Sequence, residues 1–419
     1  MKMSRDYSIM WITDEQRKVL KRGEKMYKKH SQKKKEEITK KLIRFIKMTQ
    51  MPREYLDILI SWSIISPFKL YFIKKFGLFP VLILEGERNG GKSTTANFWT
   101  TDFYGHYKEH CSGMTASSWR RFEDMITAST FPRMIDDFEN VDKRTVNLIK
   151  ESCTSKSDWS RKTSGKDQLY KPKVTPLCIT SQDLGDNFSD TANLSRAIIL
   201  DFKESIKRDP EWMKLRDELK KEKLFSLLYD YTKDWKDKDL DELVKKANET
   251  INIDKIIKRV EENSRGMLNV DKHYPRIREI YQILTTGAYL FREAFGIKLS
   301  LKNVFETLVS SRRNITEEFL TQFLAFCNMA KDYDVDYNRK KFLSTELEWD
   351  IKKDIFYFTQ ANLRDYKDFA NTKIKLKPLY DKLIEALTDK TLIKYANPRI
   401  EGRRQQWLMV IKDKLIIGS

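Results

Sequence analysis

Residues 82–99 read LILEGERNGGKSTTANFW, an apolar run that meets a tight turn and then a Lys-Ser-Thr triplet. Three of the chain's 14 glycines, Gly86, Gly90 and Gly91, fall within six positions here. Gly86, four residues, and Gly91-Lys92-Ser93 satisfy the G-x-x-x-x-G-K-[ST] phosphate-binding pattern. That pattern works only if a strand delivers the loop and a helix leaves it, because bound phosphates rest against the unpaired N–H groups at the helix's positive end. The flanks agree: "LFPVLILEG" suits a strand covered on both faces of a parallel sheet, and "TTANFWTTDFYG" reads as helix. Without a Cβ, the glycines let the backbone take positive φ and bring its amides against phosphate oxygens. The segment Gly86, Glu87, Arg88, Asn89, Gly90, Gly91, Lys92, Ser93 and Thr94 is therefore the expected nucleotide cradle. ATP and Mg2+ are the ligands it implies, with Lys92 on the β- and γ-phosphates and the Ser93 hydroxyl on the metal.

A metal and an attacking water need carboxylates at the tip of a neighbouring strand, and "RMIDDFEN" supplies Asp136, Asp137 and Glu139 after an apolar pair. Asp136 is assigned to the metal and Asp137 to the water, with Glu139 as the second candidate for that role. Aspartates that merely cap the next helix would look the same in isolation. At the end of the next strand, "PLCITSQD" puts Thr180, Ser181 and Gln182 where a polar side chain could reach a γ-phosphate. Strand candidates at 132–137, 174–181 and 196–202 alternate with helical stretches from 117 and from 141, the mark of a doubly wound α/β sheet.

The chain's net charge of +19 is unevenly spread: residues 1–50 carry ten more basic than acidic residues and residues 351–419 seven more. A near-neutral body with basic ends suggests a polyanionic partner, of which nucleic acid is the commonest. A lysine-rich surface that is merely well solvated has the same composition. Cys111, Cys153, Cys178 and Cys327 are scattered without metal-ligand spacing and read as reduced core residues. No uninterrupted apolar stretch reaches the roughly 18 residues of a spanning helix, so a cytoplasmic protein without a membrane partner is expected.

Between the acidic strand and "PLCITSQD", residues 157–173 read as a basic hairpin around "TSGKD", with Arg161 and Lys162 on the approach and Lys166 near the tip. Residues 14–48 favour helix, with Ile38, Leu42, Ile43, Ile46 and Met48 roughly on one face. A second helix follows Pro52 and stops before Pro67. Residues 203–265 turn charge-dense and helical. Residues 345–419 read as helix, turn, strand, turn, strand, compatible with a winged helix whose wing tip "RIEGRR" offers Arg399, Arg403 and Arg404 to phosphate. The expected division is an N-terminal basic helical region (1–75), an ATPase core (76–202), a helical lid or linker (203–344) and a winged-helix domain (345–419).

Taken in order, "GERNGGKS", "MIDDFEN", the basic hairpin, "CITSQD" and "NLSRAIILDF" resemble the ring helicases of superfamily 3 and the minichromosome maintenance group, especially those of plasmids, phages and mobile elements. The resemblance covers roughly residues 80–202 and implies an AAA+ P-loop core, a ring-shaped homo-oligomer, the hexamer of those families, and DNA, single-stranded or forked, as partner, with a primase or other replication proteins alongside. It further implies that Lys166 enters a central channel and that Arg196 serves the neighbouring subunit's ATP. The chain departs from the pattern in its Asp-Asp pair and in carrying Gln182 where asparagine is common. An initiator or loader that remodels DNA without unwinding it would use the same ATP residues, as would a transposition or packaging ATPase.

Overall fold

The computed structural model describes residues 29–86, 91–105, 111–112, 122, 126, 130–138, 143–154, 159–162, 168–171, 173–182, 195–202, 209–249, 251–263, 276–301 and 304–311, and short strands between 348 and 411. They fall in two compact units, one of residues 1–260 with 269–312 and one of 261–268 with 313–419.

The first unit begins with α1 (Gln32–Met48), capped by the Ser31 hydroxyl, which accepts from the Lys34 amide at 3.3 Å. Its buried stripe is Ile38, Leu42, Phe45 and Ile46. Helix α2 (Arg53–Ile65) is buried along nearly its whole length. A 3₁₀ turn, Ser66–Phe68, carries Pro67, and the chain continues as α3 (Lys69–Phe76) to a left-handed Gly77. The expected stop before Pro67 is thus only an interruption, since proline is tolerated in the first turn of a new helix. Residues 53–76 are long and apolar enough to cross a membrane by composition, but almost all of that stretch is buried inside this unit. Its packing partner is a later helix, where a Cβ on Gly287 would come within 2.1 Å of the Ser61 carbonyl oxygen.

Strand β1 (Val81–Gly86) leads through the phosphate-loop segment to α4 (Lys92–Asn97), which runs directly into a π-turn, Phe98–Asp102. The sheet is completed by β2 (Cys111–Ser112), β3 (Arg133–Asp136), then, after α5 (Lys143–Thr154) and a hairpin of β4 (Trp159–Lys162) and β5 (Gln168–Lys171), by β6 (Leu177–Ser181) and β7 (Ala197–Phe202). Its order is β2-β3-β6-β1-β7, and every pairing is parallel. The expected parallel α/β core is present. Val81, Ile83, Ile135, Leu177, Ile179 and Ala197 pack on one face with Val146 and Ile149 of α5, while Leu82, Leu84, Met134, Cys178, Ile198 and Leu200 are buried on the other. Both faces are covered, which is why these strands read as continuous apolar runs.

The hairpin anticipated at 157–173 exists as a backbone ladder, with Trp159 opposite Lys171 and Lys162 opposite Gln168. Lys166 lies outside the described residues. Helices α6 (Pro210–Lys221), α7 (Phe225–Thr232), α8 (Asp237–Glu249), α9 (Ile253–Asn263), α10 (Ile277–Phe295) and α11 (Val304–Ser311) follow, in keeping with the helical character read from 203 onward.

In the second unit β8 (Glu348–Asp350), β9 (Ile355–Phe358), β10 (Tyr395–Ala396) and β13 (Trp407–Ile411) form an antiparallel sheet in the order β10-β13-β9-β8. Between its last two strands β11 (Arg399–Ile400) pairs with β12 (Arg403–Arg404), so "RIEGRR" is a tight hairpin with Arg399 opposite Arg404. The paired helical stretch expected ahead of it, in 375–394, lies outside the described residues. A winged helix is therefore not established, and β8 and β9 were not foreseen.

Candidate active site

The sheet order fixes where chemistry can occur. In a parallel sheet all carboxyl ends share one edge, and ligands bind there. Strand β6 lies between the strand that delivers the phosphate loop and the strand that ends in acids. Its register puts Thr180 level with Leu84, and Ile179 level with Ile135, so Thr180 stands beside Asp136.

At the end of β1, Gly86 has φ 138 and Gly91 has φ 70, a region that side chains other than glycine rarely adopt. Gly86 is under a second constraint: a Cβ there would sit 2.2 Å from the carbonyl oxygen of Phe202 on β7. Glycine is thus required at the strand's exit by space as well as by angle. Lys92 opens α4, is 6% exposed, and donates from Nζ to the Gly86 carbonyl across the loop. Glu87, Arg88, Asn89 and Gly90 lie outside the described residues. Thr94 is half-buried in α4.

Three elements converge on one carboxylate. Ser93 Oγ donates to Asp136 Oδ1 at 2.5 Å, Thr180 Oγ1 donates to the same oxygen, and the two hydroxyl oxygens are 3.5 Å apart. Two neutral hydroxyls from a helix start and a strand end therefore occupy directions that a divalent cation would take, since magnesium uses few protein oxygens and completes its shell with phosphate and water. Among the described residues no three His, Cys, Asp or Glu side chains cluster as a metal cage. Beneath the cluster, burial pushes the Cys178 thiol up, with a smaller contribution from the Asp136 charge.

The next residue, Asp137, is exposed and has φ 53. Aspartate accepts this left-handed conformation better than most residues. It turns the chain so that the Phe138 amide donates to the Thr180 carbonyl at 2.9 Å and the Phe138 ring enters the core. Asp137 is left pointing outward at the carboxyl edge. Ser181 faces the opposite way and donates to the Phe138 carbonyl at 2.9 Å. Gln182 is half-buried one residue past β6, and Glu139 lies outside the described residues. The residue that meets the Ser93–Asp136 pair is Thr180, which the sequence placed in the right segment without singling it out. Strand parity was the available signal, because Thr180 and Ser181 must face opposite sides.

Arg196 sits at the other edge. It directly precedes β7, is half-buried, and its carbonyl accepts from the Val81 amide at 3.1 Å. A six-residue strand separates that level from Gly86, about 20 Å at the usual rise. Its charge is close enough to act on buried Cys153 of α5. Arg161 and Lys162 are in β4, and Arg399, Arg403 and Arg404 in the β11–β12 hairpin.

No protein-family model matches the sequence, and no curated protein matches it. Among solved structures, one described as the active helicase Cch of SCCmec type IV aligns with a TM-score of 0.56 at 12% identity, over 89% of this chain and 70% of that one. At that identity the likeness is one of fold. The apo C-terminal region of NrS-1 aligns at 10% identity over 93% of this chain and 77% of that one, with a TM-score of 0.32, too low to carry an argument.

Proposed function

We propose that this chain is an ATP-dependent DNA helicase or translocase that works as a ring-shaped oligomer, a hexamer, in the replication of a mobile genetic element. The observation that carries the reading is the convergence of Lys92, Ser93, Asp136 and Thr180 at the carboxyl edge of a parallel sheet, with a strand between the loop and the acids. A fold shared with a structure described as an active helicase supports the choice among P-loop activities.

In this reading the amides of 86–91 and the Lys92 ammonium hold the β- and γ-phosphates. Ser93, and Asp136 through water, would hold Mg2+, which would neutralise charge that develops on the phosphate oxygens. Thr180 keeps the Asp136 carboxylate aimed at that position. Asp137, exposed and next in the chain, accepts the proton of the attacking water, with Glu139 as the alternative, and Gln182 senses the γ-phosphate. Arg196 is too distant from its own chain's loop to act there, so it acts on the ATP of a neighbouring subunit. Arg161, Lys162 and Lys166 meet DNA phosphates in the channel, and Arg399, Arg403 and Arg404 meet them from the C-terminal unit.

Hydrolysis measured with and without single-stranded DNA tests the whole scheme. Lys92→Ala should lose about a hundredfold or more in turnover. Lys166→Ala should keep basal turnover and lose its stimulation by DNA. Arg196→Ala alone should be inactive, and mixing it with Lys92→Ala should restore part of the activity through mixed interfaces. Turnover indifferent to DNA would defeat the translocase reading, and a fully active Arg196→Ala would defeat the shared site.

A further inference from the structure

Helix α1 carries seven basic residues and two glutamates, and the fold sorts six of the basic ones into two groups, the seventh, Lys35, being half-buried. On the flank that packs against α6 each cation is met by an acid. Lys34 Nζ is 3.0 Å from Glu222, Lys41 Nζ is 3.0 Å from Glu218, and Arg44 pairs with Glu211. Glu37 is engaged by Lys34 and Lys41. On the outward side stand Lys33, Lys40 and Lys47, all exposed, and among the described residues none has an acid within ion-pair distance. Glu36, beside this row, accepts from Gln32 at 3.3 Å.

Seven residues are nearly two helical turns, so the row drifts by only about 20° per step and rises about 10.5 Å. Three lysine side chains thus leave the helix in a nearly straight row about 21 Å long, opposite the buried stripe of Ile38, Leu42, Phe45 and Ile46. We propose that Lys33, Lys40 and Lys47 are a docking track for the phosphate backbone of duplex DNA, separate from the nucleotide site and from the basic hairpins. From the proposed function it takes only that DNA is the partner.

The spacing selects the occupant. It is close to the Debye length in physiological salt, so the three charges repel one another little and each needs its own anion. A straight duplex offers backbone phosphates along such a row, about six base pairs long, without bending. A membrane surface would require apolar side chains beside the lysines, and the apolar stripe is turned inward. A single strand is held by aromatic faces as well as charge, and the helix's one aromatic, Phe45, is fully buried.

The test compares the full chain with K33Q/K40Q/K47Q and with K236Q/K238Q/K245Q, which removes three exposed lysines elsewhere on the same unit. Binding to a labelled duplex is followed by anisotropy across a salt series. Losing three phosphate contacts should make the slope of log K against log[salt] shallower by about 2.7 and weaken low-salt binding about tenfold or more, with the thermal midpoint unchanged. The control triple should keep the wild-type slope. An unaltered slope for K33Q/K40Q/K47Q overturns the track and leaves the proposed function standing. So does a defect larger on single-stranded oligothymidine or on anionic vesicles than on duplex. A wild-type chain that binds no DNA overturns both.

Discussion

Two aspartates stand at opposite ends of one helical segment, Lys92–Asp102, and are used in opposite ways. Asp136 meets its beginning and is contacted by neutral hydroxyls, Ser93 and Thr180. Asp102 ends its π-turn with a side chain only 1% exposed, where Arg216 of α6 donates twice to Oδ2 at 2.9 and 2.6 Å and Lys220 lies 2.9 Å from Oδ1. A carboxylate answered by two cations is spent on holding helices together. One that is answered only by hydroxyls still presents its negative potential to a cation arriving from outside. The two acids thus differ in their partners, cations for Asp102 and neutral hydroxyls for Asp136, and only the second leaves its charge uncompensated.

Replacing each acid by its amide is the sharpest attempt to break this comparison. Asp102→Asn leaves Arg216 and Lys220 without their counter-charge and should cost about 3 kcal/mol in urea unfolding. Asp136→Asn should cost less than about 1 kcal/mol and abolish hydrolysis. Equal stability losses would erase the distinction.

A buried cation extends the test. Lys69 has no carboxylate partner among the described contacts; its Nζ donates to the Thr175 carbonyl at 2.9 Å, and burial lowers its pKa to about 8, with nearby Cys153 opposing that shift only secondarily. Between about pH 8 and the ordinary lysine value the unfolded chain holds a proton that the folded chain has released. Stability contributed by this group therefore rises with pH through that window, by up to about 3 kcal/mol. Lys69→Met should lack this rise, so the stability difference between the two proteins should change between pH 7.5 and 10 in denaturant titrations.

The smallest effect refines the functional acid. Thr180→Val removes one of the two hydroxyls on Asp136 and should raise the Mg2+ needed for half-maximal hydrolysis about fivefold, corresponding to about 1 kcal/mol. Thr180→Ser should restore it. If valine is neutral, Ser93 alone orients the carboxylate.

These contrasts mark what could be read from the chain beforehand. The loop, the acidic strand end and the four long strands of the core were legible because their signals are local: glycines at fixed offsets, apolar runs of strand length, acids at the tip. Arg196 could be located at a strand entrance, and in a parallel sheet that already puts it at the amino edge, away from the loop. Asp102 carried no signal, since its partners are more than a hundred residues away in α6. Helix α3 was hidden by Pro67, and β2 is too short for any period to register. In the C-terminal unit "RIEGRR" gave the hairpin through its turn residues, whereas β9 lies far in sequence from its partner β13, and β8, only three residues long, pairs with β9 alone.

The π-turn has a mechanical meaning. Phe103 donates to the carbonyl five residues back, at Phe98, at 2.8 Å, and the Trp99 carbonyl is taken up by the Ser63 hydroxyl. One extra residue per turn delays the helix's phase by about 100°. The face that begins at Lys92 and Ser93 has by Asp102 been turned onto Arg216. The segment therefore joins the carboxyl end of the sheet to α6 with a built-in change of direction, which a straight helix of the same length would lack.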